Sequence, residues 1–390
     1  MAPVTSTVGP PAPPVSDIPL LPLRPRAGRL HTRNGGPFLT FGPALYTPSR
    51  RPEPPLSPAI LIASAALAFL ATAVAVRAAI GFARSRLLDT PNARSSHSAP
   101  VPRGGGIGFV PVILLGWLAL WSVGAGSGGP AVLAGAALLA AVSVLDDFGH
   151  VRAAVRLAVQ AAAVALGLSA LPEGATIFAG LLPVPADRLV AGIAWLWFVN
   201  LFNFMDGIDG LAAGEAAMVA AGILVLALAA PALSWLSADA AVVLGAALGF
   251  LVFNWPPARI FMGDVGSATL GFLLGWLLIA AAASGALASA IILPLYFELD
   301  ATATLLGRIL RRENIAAAHR LHAYQRAVDR GLTHKRVAGT VLILDAALAG
   351  LAVSALHRPV ISLAAAVLLA AGVYAHLLGL RGARFRAQRP

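Results

Sequence analysis

Five short segments of this 390-residue chain carry side chains able to handle phosphate and a hard cation. They are LLDTPNARSSHSAPVPRGGG (87–106), the adjacent Asp146 and Asp147, NLFNFMDGIDGL (200–211), GDVGS (263–267) and HRLHAYQR (319–326). Two neighbouring carboxylates at the end of an apolar run repel each other and need a cation or a shared proton, unless both are simply solvated at a helix end. Asn200, Asn203 and Asp206 recur every three residues and so share one face of a helix. Asp206-Gly207 and Asp209-Gly210 then make a turn, in which Asp209 is either a site residue or the cap of a helix beginning near Leu211. Asp264 stands between glycines just before another apolar run. The free N–H groups of a helix start attract phosphate there, although a simple capped turn would read the same way.

The chain has no cysteine, which removes disulfides, thiolate nucleophiles and Cys-ligated metals together. Carboxylates without a closely spaced histidine triad suggest a hard divalent cation on oxygen ligands, usually Mg²⁺, with phosphate completing its shell. Arg94, His97, Arg103, His319, Arg320, His322 and Arg326 supply the opposite charge and fit an anionic, phosphate-bearing substrate. For Arg308, Arg311 and Arg312 orientation in a membrane is a sufficient reason by itself. HRLHAYQR asks for more, because topology has no use for two histidines, a tyrosine and a glutamine.

The elements that must position these groups are set by composition. Of the residues, 58% are hydrophobic and 12% charged, with mean hydropathy +0.81, where a soluble domain carries about 25% charged residues. An ordinary cytosolic enzyme is excluded, and the pattern predicts an all-α polytopic membrane protein. Apolar runs long enough to cross a hydrocarbon core fall at 58–80, 104–123, 130–145, 152–170, 188–204, 211–230, 239–255, 267–284, 286–306, 337–356 and 359–380, about eleven transmembrane helices. Gly285 alone separates the eighth from the ninth.

That parity can be tested against charge. With the loop 81–103 in the cytoplasm, twenty of the 28 cations lie on that side and only Arg188 and Arg358 on the other, the remaining six being in residues 1–57. Such a bias is the positive-inside signature, and it puts all five clusters at the cytoplasmic face. The net charge of +11 and pI near 11.4 therefore point to a membrane and anionic substrates, with no nucleic acid. Residues 1–57, dense in Pro and Arg, are expected to be a disordered extension without a secretory signal peptide. Their position outside, with Arg50 and Arg51 beside the first span, leaves two readings: a true appendage or a later translation start. Residues 58–380 form the membrane domain, and 381–390 a basic cytoplasmic tail.

In these segments the sequence resembles the polyprenyl-phosphate N-acetylhexosamine-1-phosphate transferases (MraY/WecA-like), which include the phospho-MurNAc-pentapeptide translocases. DTPNARSSH with PRGGG, the Asp146-Asp147 pair, NFMDGIDG, GDVGS and HRLHAYQR stand in that family's order over about 58–380. RSSH, PRGGG, DATATLL (300–306) and HRLHAYQR look most like the branch that starts O-antigen or other surface-glycan chains. The resemblance implies Mg²⁺-dependent (or Mn²⁺-dependent) transfer of a HexNAc-1-phosphate from a UDP-sugar to undecaprenyl phosphate, releasing UMP. A UDP-GlcNAc-specific or peptidoglycan-type member is the nearest alternative. It further implies an enzyme of the bacterial inner membrane, a possible homodimer, with its active site facing the cytoplasm.

Carried over residue by residue, Asp264 matches the Mg²⁺-binding aspartate, and Asp146 and Asp147 match the catalytic pair. Asn203 and Asp206 match positions near the pyrophosphate and metal. His319, Arg320 and His322 match the loop that contacts sugar and phosphates. Both direct attack by the lipid phosphate and a covalent aspartyl intermediate fit. An ion-coupled transporter is the alternative from another class, but its acids would be spread near the bilayer midplane. Here they gather at one face, without an internal repeat.

Overall fold

In the computed structural model the described residues are 56–89, 100–149, 151–314 and 319–380. Arg94, His97, the basic tail and nearly all of the N-terminal extension lie outside them. Thirteen α-helices account for most of the described chain: α1 (Pro58–Arg86), α2 (Gly106–Ser122), α3 (Pro130–Phe148), α4 (Ala153–Ser169), α5 (Val184–Met205), α6 (Leu211–Ala229), α7 (Ser237–Asn254), α8 (Gly263–Ala281), α9 (Leu287–Ile292), α10 (Leu295–Leu310), α11 (Ala323–Asp329), α12 (His334–Ala355) and α13 (Pro359–Leu378). Two-residue strands β1 (Leu88–Asp89) and β2 (Val101–Pro102) pair antiparallel between α1 and α2. Proline within the first two positions starts α1, α3, α5 and α13, where its fixed φ suits the helix and its missing N–H costs nothing.

Eight described helical segments are long and apolar enough to cross a membrane, and α2 and α4 are shorter apolar helices. The chain is thus an all-α, multi-pass membrane protein. Ten of the eleven expected spans correspond to α1–α8, α12 and α13. The expected span 286–306 is corrected: the chain continues from α8 past a left-handed kink at Gly285 (φ 94°) to Ile292, then breaks before α10 at Pro294. Proline lacks the N–H for a continuing helix and its ring clashes with the preceding turn. α8 leaves from Asp264, and Ala301 and Leu305 of α10 line the same cavity as Asp264, so by the middle of α10 the chain has come back to the site.

The layering follows from apolarity. The apolar windows of the segments containing α6, α7 and α8 are 72%, 78% and 83% buried, against 22% for α1 and α13. A helix apolar on every side belongs in the centre. On the periphery Ile62, Leu67 and Val74 of α1 and Val360 and Leu368 of α13 point outward, as a lipid-facing surface requires. α1 approaches α7 closely because Gly245 and Gly249 present no side chain: a Cβ would lie 2.1 Å from the Ala65 carbonyl oxygen and 2.5 Å from that of Phe69.

Candidate functional site

The site begins with backbone pairing between two loops. The Phe261 N–H donates to the Pro102 carbonyl, and the Gly105 and Gly106 N–H groups donate to the carbonyls of Phe261 and Met262, all at 2.8–2.9 Å. This brings the start of α2 against the start of α8. A Cβ on Gly106 would stand 2.2 Å from the Gly266 nitrogen. The glycines of PRGGG therefore serve a close backbone approach that fixes the first turn of α8, where Asp264 resides.

Around Asp264 three other helices deliver polar groups. Asn203, in the last turn of α5, donates from Nδ2 to Asp264 Oδ1 at 3.3 Å and to Ser267 Oγ at 2.7 Å. Asp146 and Asp147 end α3. Asp146 accepts from the Val151 N–H at 2.9 Å and from Arg156 Nη1 at 2.5 Å, and the same Nη1 lies 3.3 Å from Asp264 Oδ2. Arg103 donates to the Asp147 carbonyl at 3.2 Å, with Nε 4.0 Å from Oδ1. Asp147 Oδ2 is buried without a hydrogen-bond donor and faces Gly263, whose added Cβ would be 3.3 Å away. Burying a carboxylate oxygen without a donor is costly. At the far end of the bundle Asp187 shows the satisfied case, its oxygens accepting from the Ile177 and Phe178 N–H groups.

Two cavities meet here. One, of about 460 Å³, is lined by Gln160, Asn200, Asn203, His319 and His322 and walled by Leu139, Val142, Leu157 and Leu305. The other, of about 290 Å³, is lined by Arg103, Asp146 and Asp147. Arg156 and Asp264 belong to both. Asn200 donates to Gln160 at 2.9 Å, extending the polar wall. Partial exclusion from water, with His322 and Arg308 nearby, lowers the His319 pKa to about 4, so the ring is neutral at ordinary pH.

Other expected site residues stand elsewhere. Asp206 caps the C-terminal end of α5 and lines neither cavity. Burial, reinforced by the charges of Asp264 and Asp209, pushes its carboxyl well above the usual range. The capping alternative for Asp209 is corrected. Asp209 accepts from the Ala258 N–H at 3.0 Å and lies 3.2 Å from His334 Nδ1, while the Gly210 N–H goes to Asn254 at 3.0 Å. Arg320 and Arg326 line a separate cavity of about 580 Å³, where Arg320 pairs with Asp329 at 2.7 Å. Conversely, Arg156 and Gln160 enter the site, although by sequence Arg156 counts only among the twenty cations of the cytoplasmic side. The available signal is their i,i+4 spacing, which puts two polar groups on one face of an otherwise apolar helix.

Among the described residues no set of three or more Asp, Glu or His forms a closed metal cage. Mg²⁺ needs none, since it is commonly held by one or two carboxylates and substrate phosphates. The half-exposed Asp264 and the donorless Asp147 Oδ2 are suitable hard donors. Asn203 presents its amide nitrogen to Asp264, so in this arrangement it orients that carboxylate. Acting as a ligand would require the amide to turn over.

Helices spanning a membrane, with carboxylates and cations meeting at one end beside an aliphatic wall, define an integral-membrane enzyme of charged substrates. Residues 130–282, which hold Asp146, Asp147, Arg156, Asn203 and Asp264, match the model of glycosyl transferase family 4. The chain is 30% identical to a probable undecaprenyl-phosphate N-acetylglucosaminyl 1-phosphate transferase of Bacillus subtilis, over 64% of this chain and 71% of that protein. It is 33% identical to a decaprenyl-phosphate N-acetylglucosaminephosphotransferase of Mycolicibacterium smegmatis, over 47% of this chain and 51% of the relative. Identity is also 33% to a phospho-N-acetylmuramoyl-pentapeptide-transferase of Mycobacterium avium, over 44% and 61%. The chain belongs to glycosyl transferase family 4, the polyprenyl-phosphate sugar-1-phosphate transferases, and is a phosphotransferase.

Proposed function

We propose that this enzyme transfers a HexNAc-1-phosphate from a UDP-sugar to undecaprenyl phosphate at the cytoplasmic face of the bacterial inner membrane. In net terms, a lipid phosphate oxygen bonds to the phosphorus bearing the sugar, and the bond from that phosphorus to the UMP oxygen breaks. The observation that carries this reading is the cavity of about 460 Å³, where Asp264, Arg156 and His322 face an aliphatic wall of Leu139, Val142, Leu157 and Leu305. A phosphate on a long hydrocarbon needs both surfaces, because the chain must stay apolar while its head meets a polar site.

Transfer between two anions depends on positioning and charge neutralisation more than on a strong nucleophile. Asp264 and Asp147 would hold Mg²⁺, whose chemistry there is to neutralise the diphosphate and polarise its oxygens. Arg156 and Arg103 orient the carboxylates and donate to phosphate oxygens. Asn203 keeps Asp264 directed into the cavity, and His319 and His322 form the wall next to the nucleotide-sugar. The positive-inside bias supports the cytoplasmic placement, and the RSSH, DATATLL and HRLHAYQR segments favour initiation of O-antigen or another surface glycan over peptidoglycan synthesis.

The test is a panel of radiolabelled UDP-sugars incubated with the purified protein, undecaprenyl phosphate and Mg²⁺, followed by lipid extraction. Labelled lipid with one or more UDP-HexNAc substrates is expected. Label from UDP-MurNAc-pentapeptide alone would reassign the enzyme to the peptidoglycan branch, and no labelled lipid from any donor would defeat the proposal.

A further inference from the structure

The segment carrying His319 and His322 reaches the cavity from outside the membrane-crossing helices, and one buried carboxylate ties it down. Asp300 of α10 is fully buried. Its Oδ1 accepts from the Ala323 N–H at 2.9 Å and from Thr304 Oγ1 at 3.3 Å. Its Oδ2 accepts from the Tyr324 N–H at 3.3 Å and the Tyr296 hydroxyl at 3.1 Å. Ala323 and Tyr324 open α11, and the Tyr324 hydroxyl donates to the Phe204 carbonyl at 3.0 Å, fastening the segment to the end of α5.

A carboxylate taken out of water needs several donors or an opposite charge. Among the described residues no lysine or arginine pairs with Asp300. The basic side chain beside it is His322, whose buried Nδ1 lies 3.4 Å from Oδ1, a charge contact rather than an aligned hydrogen bond. An imidazole nitrogen turned to a carboxylate is where the ring proton belongs, and this fixes which nitrogen is left for the other side. The ring also borders the cavity that holds Asp264.

We propose that Asp300 is a positioning residue. It docks residues 319–326 through the first N–H groups of α11 and holds His322 with Nδ1 protonated, so that Nε2 is the nitrogen presented to the cavity. The consequence for transfer rests on the function proposed above; the protonation of His322 does not.

Two measurements test it. In the transfer assay Asp300→Asn is expected to lower kcat about 10–100-fold, the range for residues that orient another ligand, with little change in KM for the UDP-sugar. Asp300→Glu should restore part of that loss. In a His322→Gln background, Asp300→Asn should cost less than about threefold, because its effect passes through the ring already removed. Losses that multiply in the double variant would show an effect on the fold rather than on His322, and would overturn the proposal. The second measurement is ¹⁵N NMR of histidine-labelled protein in lipid, with the His322 signal identified by its loss in His322→Gln. A proton on Nδ1 in the wild type, lost or moved in Asp300→Asn, is expected. A wild-type ring protonated only on Nε2 refutes the proposal. Nδ1 protonation in a protein that transfers no sugar phosphate would leave the positioning role standing and refute the assigned reaction instead.

Discussion

Arg156 of α4 reaches Asp264 of α8 across the junction of the two cavities, placing its Nη1 3.3 Å from Oδ2 of that carboxylate. The same nitrogen holds Asp146, so one guanidinium sets the spacing of the two acidic clusters. Arg156 and Asp264 side chains are 40% and 41% exposed, and a pair so open to solvent contributes little to stability. Its value lies in geometry.

Replacing Arg156 should therefore be seen in transfer before it is seen in melting. Arg156→Gln is expected to reduce lipid-linked product about 100-fold or more, the scale for losing a charged group aimed at a developing phosphate charge. Arg156→Lys should fall between, since an ammonium keeps the charge and can contact both carboxylates from its one nitrogen but lacks the remaining guanidinium donors for phosphate oxygens. The melting temperature in detergent should stay within about 3 °C of wild type, as expected for an exposed ion pair.

Gly106→Ala tests the backbone approach beneath Asp264. With its Cβ meeting the Gly266 backbone, the start of α2 or of α8 must shift. A cost of about 1–3 kcal/mol is expected for such overpacking. A lower melting temperature together with reduced transfer is the expected result. Gly81→Ala, where the added Cβ meets nothing within 4 Å, is the control that should change neither.

The lowered pKa of His319, about 4, has a pH consequence. In the unfolded chain histidine titrates near 6.5, so between that value and 4 the unfolded state binds more protons and stability falls as the pH falls. His319→Gln removes the contribution. Its melting temperature should decline less than that of wild type between about pH 7.5 and about pH 5, as read by thermal denaturation at both values.

Arg326 lines the separate cavity, so Arg326→Gln should leave KM for the UDP-sugar within about threefold of wild type, in line with most exposed substitutions away from a site. The same steady-state assay on His322→Gln should show a far larger loss, and in kcat rather than in KM.

Much of this arrangement was legible before the structure. Apolar runs of spanning length located ten helices, and the charge bias gathered Asp146, Asp147, Asn203 and Asp264 at one end. Pro294 was visible too, but a run of apolar residues does not reveal whether a proline falls inside a crossing or ends it. Side-chain direction was the harder part. Arg320 and His322 are two residues apart in one motif, yet Arg320 pairs with Asp329 beside one cavity while His322 borders another. Asp209 reads as a cap from its place before α6, but Ala258 and His334, distant in sequence, take its oxygens. Arg156 looked like one more topology charge because nothing local shows which carboxylates lie opposite a helix.

The most direct test is Asp264→Asn, assayed beside wild type in membranes for conversion of labelled UDP-HexNAc to lipid-extractable product, with Mg²⁺ and with EDTA. The expected result is product from wild type with Mg²⁺, none with EDTA and none from Asp264→Asn, with equal amounts of both proteins inserted in the membrane. Full activity of Asp264→Asn, or wild-type transfer that persists in EDTA, would contradict a metal-assisted phosphotransfer centred on Asp264.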